Sequence, residues 1–282
     1  MAEHPVVVLH GFGGQGKTTL AADAGRWFHR TGRFPGGAAF VSFEQGGSLQ
    51  QLCSWVGQAL SGDPNFALGA GDPVERVGAL LRARPALVIL DNFESVLGRA
   101  PLMPAEELKA VLDAVWRWVG GDRETGRPGD RRLGDRQRGS RVLITTRDTS
   151  FNDARFGPSK LCAQIELGGL ATGDALELAA AVLDDHGIDR ATIRRQELVD
   201  LLERLGGHLL SLNLALPHLR DHTPAEQLHA LTRAISTDAN MPDEIRALGR
   251  ALNAVLAGER APNLAALPAE LAERVRAVIA GI

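Results

Sequence analysis

The sequence predicts an α/β protein, a doubly wound parallel sheet followed by an all-helical part. Three observations predict it. Short runs rich in valine, isoleucine and leucine alternate with stretches of helical apolar spacing through residue 168, the pattern of parallel strands joined by crossover helices. The first such run passes directly into a glycine-rich turn and then a helix. After Gly169 only the helical spacing persists.

The elements follow in order. Pro5–Leu9 carries Val-Val-Val-Leu and reads as a fully buried strand. Lys17–Arg30 reads as a helix with Leu20, Ala24, Trp27 and Phe28 on its apolar side and Gly32 as its stop. Ala38–Glu44 is a second strand, and Ser48–Leu60 a helix ended by the polar stretch around Asp63 and Pro64. Pro73–Arg82 is helical and leads into Ala86–Leu90, a continuous apolar run that stops at Asp91. Pro104–Val119 places Leu108, Val111, Leu112, Val115 and Trp116 on one helical face. Arg141–Thr145 and Gln164–Leu167 supply the remaining strands. Between Gly120 and Gly139 apolar residues nearly vanish, which reads as a surface insertion. Its six arginines against three acids over 123–138 could touch a phosphate backbone, although a solvated loop is the preferred reading. The helical part comprises Ala171–His186, Thr192–Leu205, Leu209–Arg220 and Pro224–Ile235, closed by Ile245–Leu256 and Pro268–Ile279.

The first strand, turn and helix enclose Gly11-Phe12-Gly13-Gly14-Gln15-Gly16-Lys17-Thr18. This is the spacing and context of a phosphate-binding P-loop, in which glycines let backbone N–H groups turn inward and a helix N-terminus adds its positive end. The expected cradle is Gly11, Gly13, Gly14, Gln15, Gly16 and Thr19; Lys17 bridges the β- and γ-phosphates, and Thr18 offers its hydroxyl to Mg²⁺. Only three of the 31 basic residues are lysine, so a lysine kept here is informative. Asp91 ends a buried strand at the edge where open α/β sheets bind ligands; it reads as a Walker B carboxylate holding Mg²⁺ through water, or else as a turn cap. The next position, where many P-loop ATPases place an acid that orients water, is Asn92. Glu94 could substitute for that acid or be a surface carboxylate, and slow hydrolysis is the expectation. The strand Arg141–Thr145 runs into Thr146 and Arg147. Arg147 could reach a γ-phosphate, or pair with Asp148.

These blocks resemble the signal-transduction ATPases with numerous domains, the STAND class, and within it the NB-ARC family. The matching pieces are HGFGGQGKTTLA at 10–21, LVILDNFE at 87–94, SRVLITTRD at 140–148, IELGGLATGDALELAAAVL at 165–183 and GGHLLSLNLA at 206–215. The resemblance covers about 10–215 and is nearest to bacterial members with Leu-Asp-Asn at the second block. It implies a sheet in the order 5-1-4-3-2 and a small helical domain closing over the nucleotide, with ADP holding an off state and ATP driving oligomerisation. It also implies that Lys17 and Thr18 bind phosphate and Mg²⁺, that Asp91 supports Mg²⁺ and that Arg147 senses the γ-phosphate. The corresponding domains are 1–168 for the nucleotide, 169–237 for the helical domain and 238–282 for a helical tail. Leu209 stands where the family has the proline that packs against the base. Only ten residues precede Gly11, whereas family members carry an upstream segment over the adenine; the chain is expected to be a fragment or to hold adenine differently. No winged-helix domain, effector or sensor repeat is recognisable.

Composition narrows the partners. Net charge is −3, so nothing global draws the chain to nucleic acid or an anionic membrane. The two cysteines, Cys53 and Cys162, lie far apart, which excludes a zinc ribbon or disulfide framework and fits core thiols in a reducing cytoplasm. No apolar run approaches the ~18 residues needed to span a bilayer. The leading expectation is a cytoplasmic, slowly hydrolysing ATP/ADP switch whose partner is a second copy or an effector or sensor protein. The alternatives are a nucleotide-binding scaffold without significant hydrolysis, a DNA-associated ATPase using the arginine-rich insertion, and a metabolic kinase, for which no second substrate site is visible.

Overall fold

The computed structural model describes residues 4–98, 101–120 and 139–227, with isolated positions beyond. Five strands form: β1 Val6–His10, β2 Ala38–Ser42, β3 Leu87–Asp91, β4 Arg141–Thr146 and β5 Cys162–Glu166. All their pairings are parallel, in the order β2-β3-β4-β1-β5. That is the expected 5-1-4-3-2 order read from the opposite edge. Side chains alternate between the two faces of a sheet, and both faces are covered here. Val6, Val8, Val88, Leu90, Val142 and Ile144 enter one core, whereas Val7, Leu9, Leu87, Ile89 and Leu143 enter the other. Strands buried on both sides read as unbroken apolar runs, which is why they were visible in the sequence.

The helices of this part are α1 Lys17–Arg30, α2 Leu49–Ser61, α3 Pro73–Ala83 and α4 Ala105–Trp118. Two start where a side chain satisfies a free first-turn amide: Ser48 accepts from Gln51 N–H, and Asp72 from Val74 N–H with Pro73 at the first helical position. α4 buries Val111, Leu112, Val115, Trp116 and Trp118. In α1 the structure differs from the sequence reading. Leu20 and Trp27 stay 47% and 54% exposed, and the side facing the sheet is Lys17, Ala21 and Gly25. A Cβ on Gly25 would lie 2.9 Å from Ile89 Cδ1. The helix thus meets the sheet through Ala21 and Gly25, with Phe28 partly buried against the same core; of the expected apolar side, Leu20 and Trp27 are the two that stay exposed.

The chain divides into two compact units, Met1–Gly168 and Gly169–Ile282. In the second, α5 Thr172–Asp185, α6 Arg195–Arg204 and α7 Leu209–Ala215 bury Ala175, Ala179, Leu183, Leu201, Leu202 and Leu212 together. Leu209–Arg220 is α-helical only to Ala215 and continues as a 3₁₀ turn over Leu216–Arg220, because Pro217 cannot donate the next helical bond. Two backbones cross tightly at the start of this unit. Cβ atoms on Gly169 and Gly207 would lie 1.9 Å from Gly206 O and 2.2 Å from Leu170 O, and Leu170 N–H donates to Gly207 O at 2.9 Å. The insertion over 121–138, the helices at 245–256 and 268–279, most of 228–235 and the tail lie outside the described residues. Cys53 and Cys162 are free and buried, and burial pushes their thiols up to about 12 and about 11. Among the described residues no helix is long and apolar enough to cross a membrane.

Candidate functional site

β1 ends at His10 and α1 begins at Lys17, so the glycine-rich segment spans the gap between a strand end and a helix N-terminus. Gly11, Gly14 and Gly16 have φ of 146°, 80° and 84°, conformations that side chains with a Cβ rarely adopt. Gly16 caps α1 without a side chain, and the first turn carries no acid. The first-turn amides are therefore left for an acceptor from outside the helix. Lys17 folds back under the turn, its Nζ donating to Gly11 O and Phe12 O at 2.8 Å each. Burial lowers its pKa; Glu94 raises it, Arg147 lowers it and Asp91 raises it in smaller measure. An ammonium hydrogen-bonded to two neutral carbonyl oxygens at the N-terminus of a helix matches an anionic ligand. Gln15 tucks its side-chain Oε1 under Gly11, buried and without a hydrogen-bond partner among the described residues. Thr19 is exposed on the first turn of α1.

Asp91 reaches this point because β3 lies beside β4 with Leu90 opposite Ile144. It is 2% exposed. Thr18 Oγ1 donates to its two carboxylate oxygens at 2.9 and 3.1 Å, and Thr145 Oγ1 to Oδ1 at 2.5 Å. Asn92 follows with φ 55° and donates its N–H to Thr145 Oγ1. A carboxylate and a hydroxyl are hard oxygen donors, the set that Mg²⁺ accepts. No group of three or more His, Cys, Asp or Glu able to hold a metal occurs among the described residues. Mg²⁺ is usually held by one or two carboxylates together with ligand phosphates. Thr145 belongs to the Thr-Thr-Arg strand end expected to bring polar groups to this edge; that it takes Asp91 follows from its place one step beyond the β3–β4 register.

Arg147 lies just past β4. Its Nε pairs with Glu94 Oε1 at 3.0 Å, and its backbone N–H donates to Glu94 Oε2 at 3.2 Å. Its guanidinium crosses Gly13, where a Cβ would stand 2.7–3.1 Å from the CZ and NH atoms. The partner is thus Glu94 and not the adjacent Asp148, whose carboxylate accepts from Ser150 N–H. Lys17, Thr18, Asp91, Glu94, Arg147 and the glycines come together in the first unit. Leu209 opens α7 in the second unit, where His208 caps the helix through its Nδ1, accepting from Ser211 N–H.

Residues 2–121 match a family model described as an AAA domain. No curated protein matches the chain in sequence. Two similar solved structures are the Drosophila ORC bound to DNA and the HORMA:CdnC:Trip13 complex of E. coli MS115-1. The first is 15% identical at a TM-score of 0.45, over 100% of this chain and 63% of that one. The second is 15% identical at a TM-score of 0.40, over 98% of this chain and 74% of that one. The chain therefore spans less than two thirds of the length of the first of them. With the strand order, the glycine turn between β1 and α1 and the match over residues 2–121, the chain is a P-loop NTPase in fold.

Proposed function

We propose that this chain is an ATP- and ADP-binding switch of the NB-ARC kind, hydrolysing slowly, whose nucleotide state governs association with further copies or with a partner protein. One observation carries the proposal: Lys17, the Thr18–Asp91–Thr145 cluster and Arg147 converge on the open N-terminus of α1. Lys17 and the first-turn amides would hold the phosphates, Thr18 and Asp91 would hold Mg²⁺, and Arg147 would contact a terminal phosphate. Leu209 as the apolar contact to the base belongs to the same proposal. Bound MgATP would supply the phosphoanhydride and the cation that offsets its charge. Slow turnover is expected because the residue after Asp91 is an amide, which can orient water but not take its proton.

A second reading, a scaffold that binds nucleotide without significant hydrolysis, is favoured by Glu94 having both oxygens engaged by Arg147. The test is to denature the purified protein and identify the released nucleotide by chromatography, with Lys17→Ala as control. ADP near one equivalent, absent from the variant, supports nucleotide binding; no nucleotide, and no binding of added ATP or ADP with Mg²⁺, would sink it. Turnover of added ATP then separates the switch from the scaffold.

A further inference from the structure

Glu94 and Arg147 have unequal freedom. The glutamate side chain is 20% exposed and the arginine 62% exposed. Glu94 sits in the 3₁₀ turn Phe93–Val96, whose Phe93 and Val96 are both fully buried, so the backbone that carries it is anchored. Arg147 is the movable partner, and its guanidinium already lies across Gly13 of the glycine turn. Glu94 engages Arg147 through Nε and the backbone N–H, so the carboxylate competes with a phosphate for the charge and orientation of the guanidinium rather than for every one of its five N–H donors.

We propose that Glu94 is a positioning residue: it is the resting counter-ion of Arg147, and the strength of this pair sets how far the protein prefers ATP to ADP. This rests on the nucleotide-binding reading above. In it, Arg147 leaves Glu94 for the terminal phosphate of ATP and stays on Glu94 when ADP is bound. Glu94 acts through Arg147 and is not the group that activates water.

The test is calorimetric titration of the full chain with ADP and with a non-hydrolysable ATP analogue, each with Mg²⁺, on four proteins: wild type, Glu94→Gln, Arg147→Ala and the double variant. Glu94→Gln should tighten the ATP analogue relative to ADP by about fivefold, the scale of a partly exposed ion pair. Arg147→Ala should abolish most of the preference, and Glu94→Gln should then change nothing further. If Glu94→Gln shifts the preference equally with and without Arg147, the carboxylate acts by through-space repulsion and the proposal is overturned. If Glu94→Gln leaves the preference unchanged and only stops turnover, Glu94 is a base and the proposal is again overturned. Should Arg147→Ala not fold, Arg147→Gln serves the same cycle. A wild type that binds neither nucleotide overturns the nucleotide-binding reading itself, a result distinct from either failure above.

Discussion

Asp91 is a carboxylate almost sealed from water, and two threonine hydroxyls satisfy it. Removing one of them leaves the charge partly unpaired in a buried place, a change that typically costs about 1–3 kcal/mol. Thr145→Val is expected to fall in that range in urea denaturation while leaving the β4 core intact, because its hydroxyl also receives the Asn92 N–H. Gly11→Ala should be worse tolerated. Its φ of 146° and a Cβ 2.5 Å from Leu167 O leave no relaxed conformation, and loss of soluble protein or a strongly lowered Tm is the expected result. Asp153 offers a pH test. Its pKa is lowered chiefly by the side-chain hydrogen bond from Arg155, against the raising effect of burial. A depressed carboxylate stabilises the fold above its unfolded pKa of about 3.9, and that contribution is lost as pH falls through the folded value. Asp153→Asn, which keeps an acceptor for the Arg155 N–H, should lower Tm at pH 7, and the gap to wild type should narrow below about pH 4.

Among elements, α1 is the one whose face the apolar spacing placed only in part: Phe28 packs on the core, whereas Leu20 and Trp27 do not. Its sheet side is small, so Gly25→Leu should cost about 1–3 kcal/mol through overpacking against Ile89. Trp27→Gln, on the exposed side, should stay within about 0.5 kcal/mol. Equal effects of the two substitutions on chemical denaturation would contradict the observed face. The crossing of residues 169–170 with 206–207 is a second such contact. Gly207→Ala would place a Cβ 2.2 Å from a backbone oxygen at a φ of 62°, and it should unfold the helical unit at a lower temperature than Leu210→Ala, which removes a half-exposed side chain. Where an element was long and apolar, as in α4 and β3, the sequence located it to within a residue or two. Where packing depends on the absence of side chains, as at Gly25 and Gly207, composition carries no signal of which neighbour comes close.

At the scale of the whole molecule, both apolar cores flanking the sheet are built from residues of the first unit alone. A chain ending at Gly168 is therefore expected to melt cooperatively and to keep Lys17-dependent nucleotide binding; a non-cooperative transition would count against independent folding. The parallel order explains why chemistry gathers at one edge. β1, β3 and β4 are neighbours, and their C-terminal ends deliver the glycine turn, Asp91 and Thr145–Arg147 to one place.

By itself the sequence determined the strands, the glycine turn and the carboxylate at the end of β3, whereas the strand order was expected only through the family resemblance. Those features depend on local chemistry: unbroken β-branched runs for buried strands, glycine for positive φ, a polar residue where an apolar run must stop. Tertiary structure alone decided the partners. Thr145 meets Asp91 because two strands 54 residues apart lie in register. Arg147 takes Glu94, and not its neighbour Asp148, because the turn after β3 carries that carboxylate to the end of β4. Pairing across a sheet depends on which strands adjoin and at what offset, and neither is fixed by the residues of one strand.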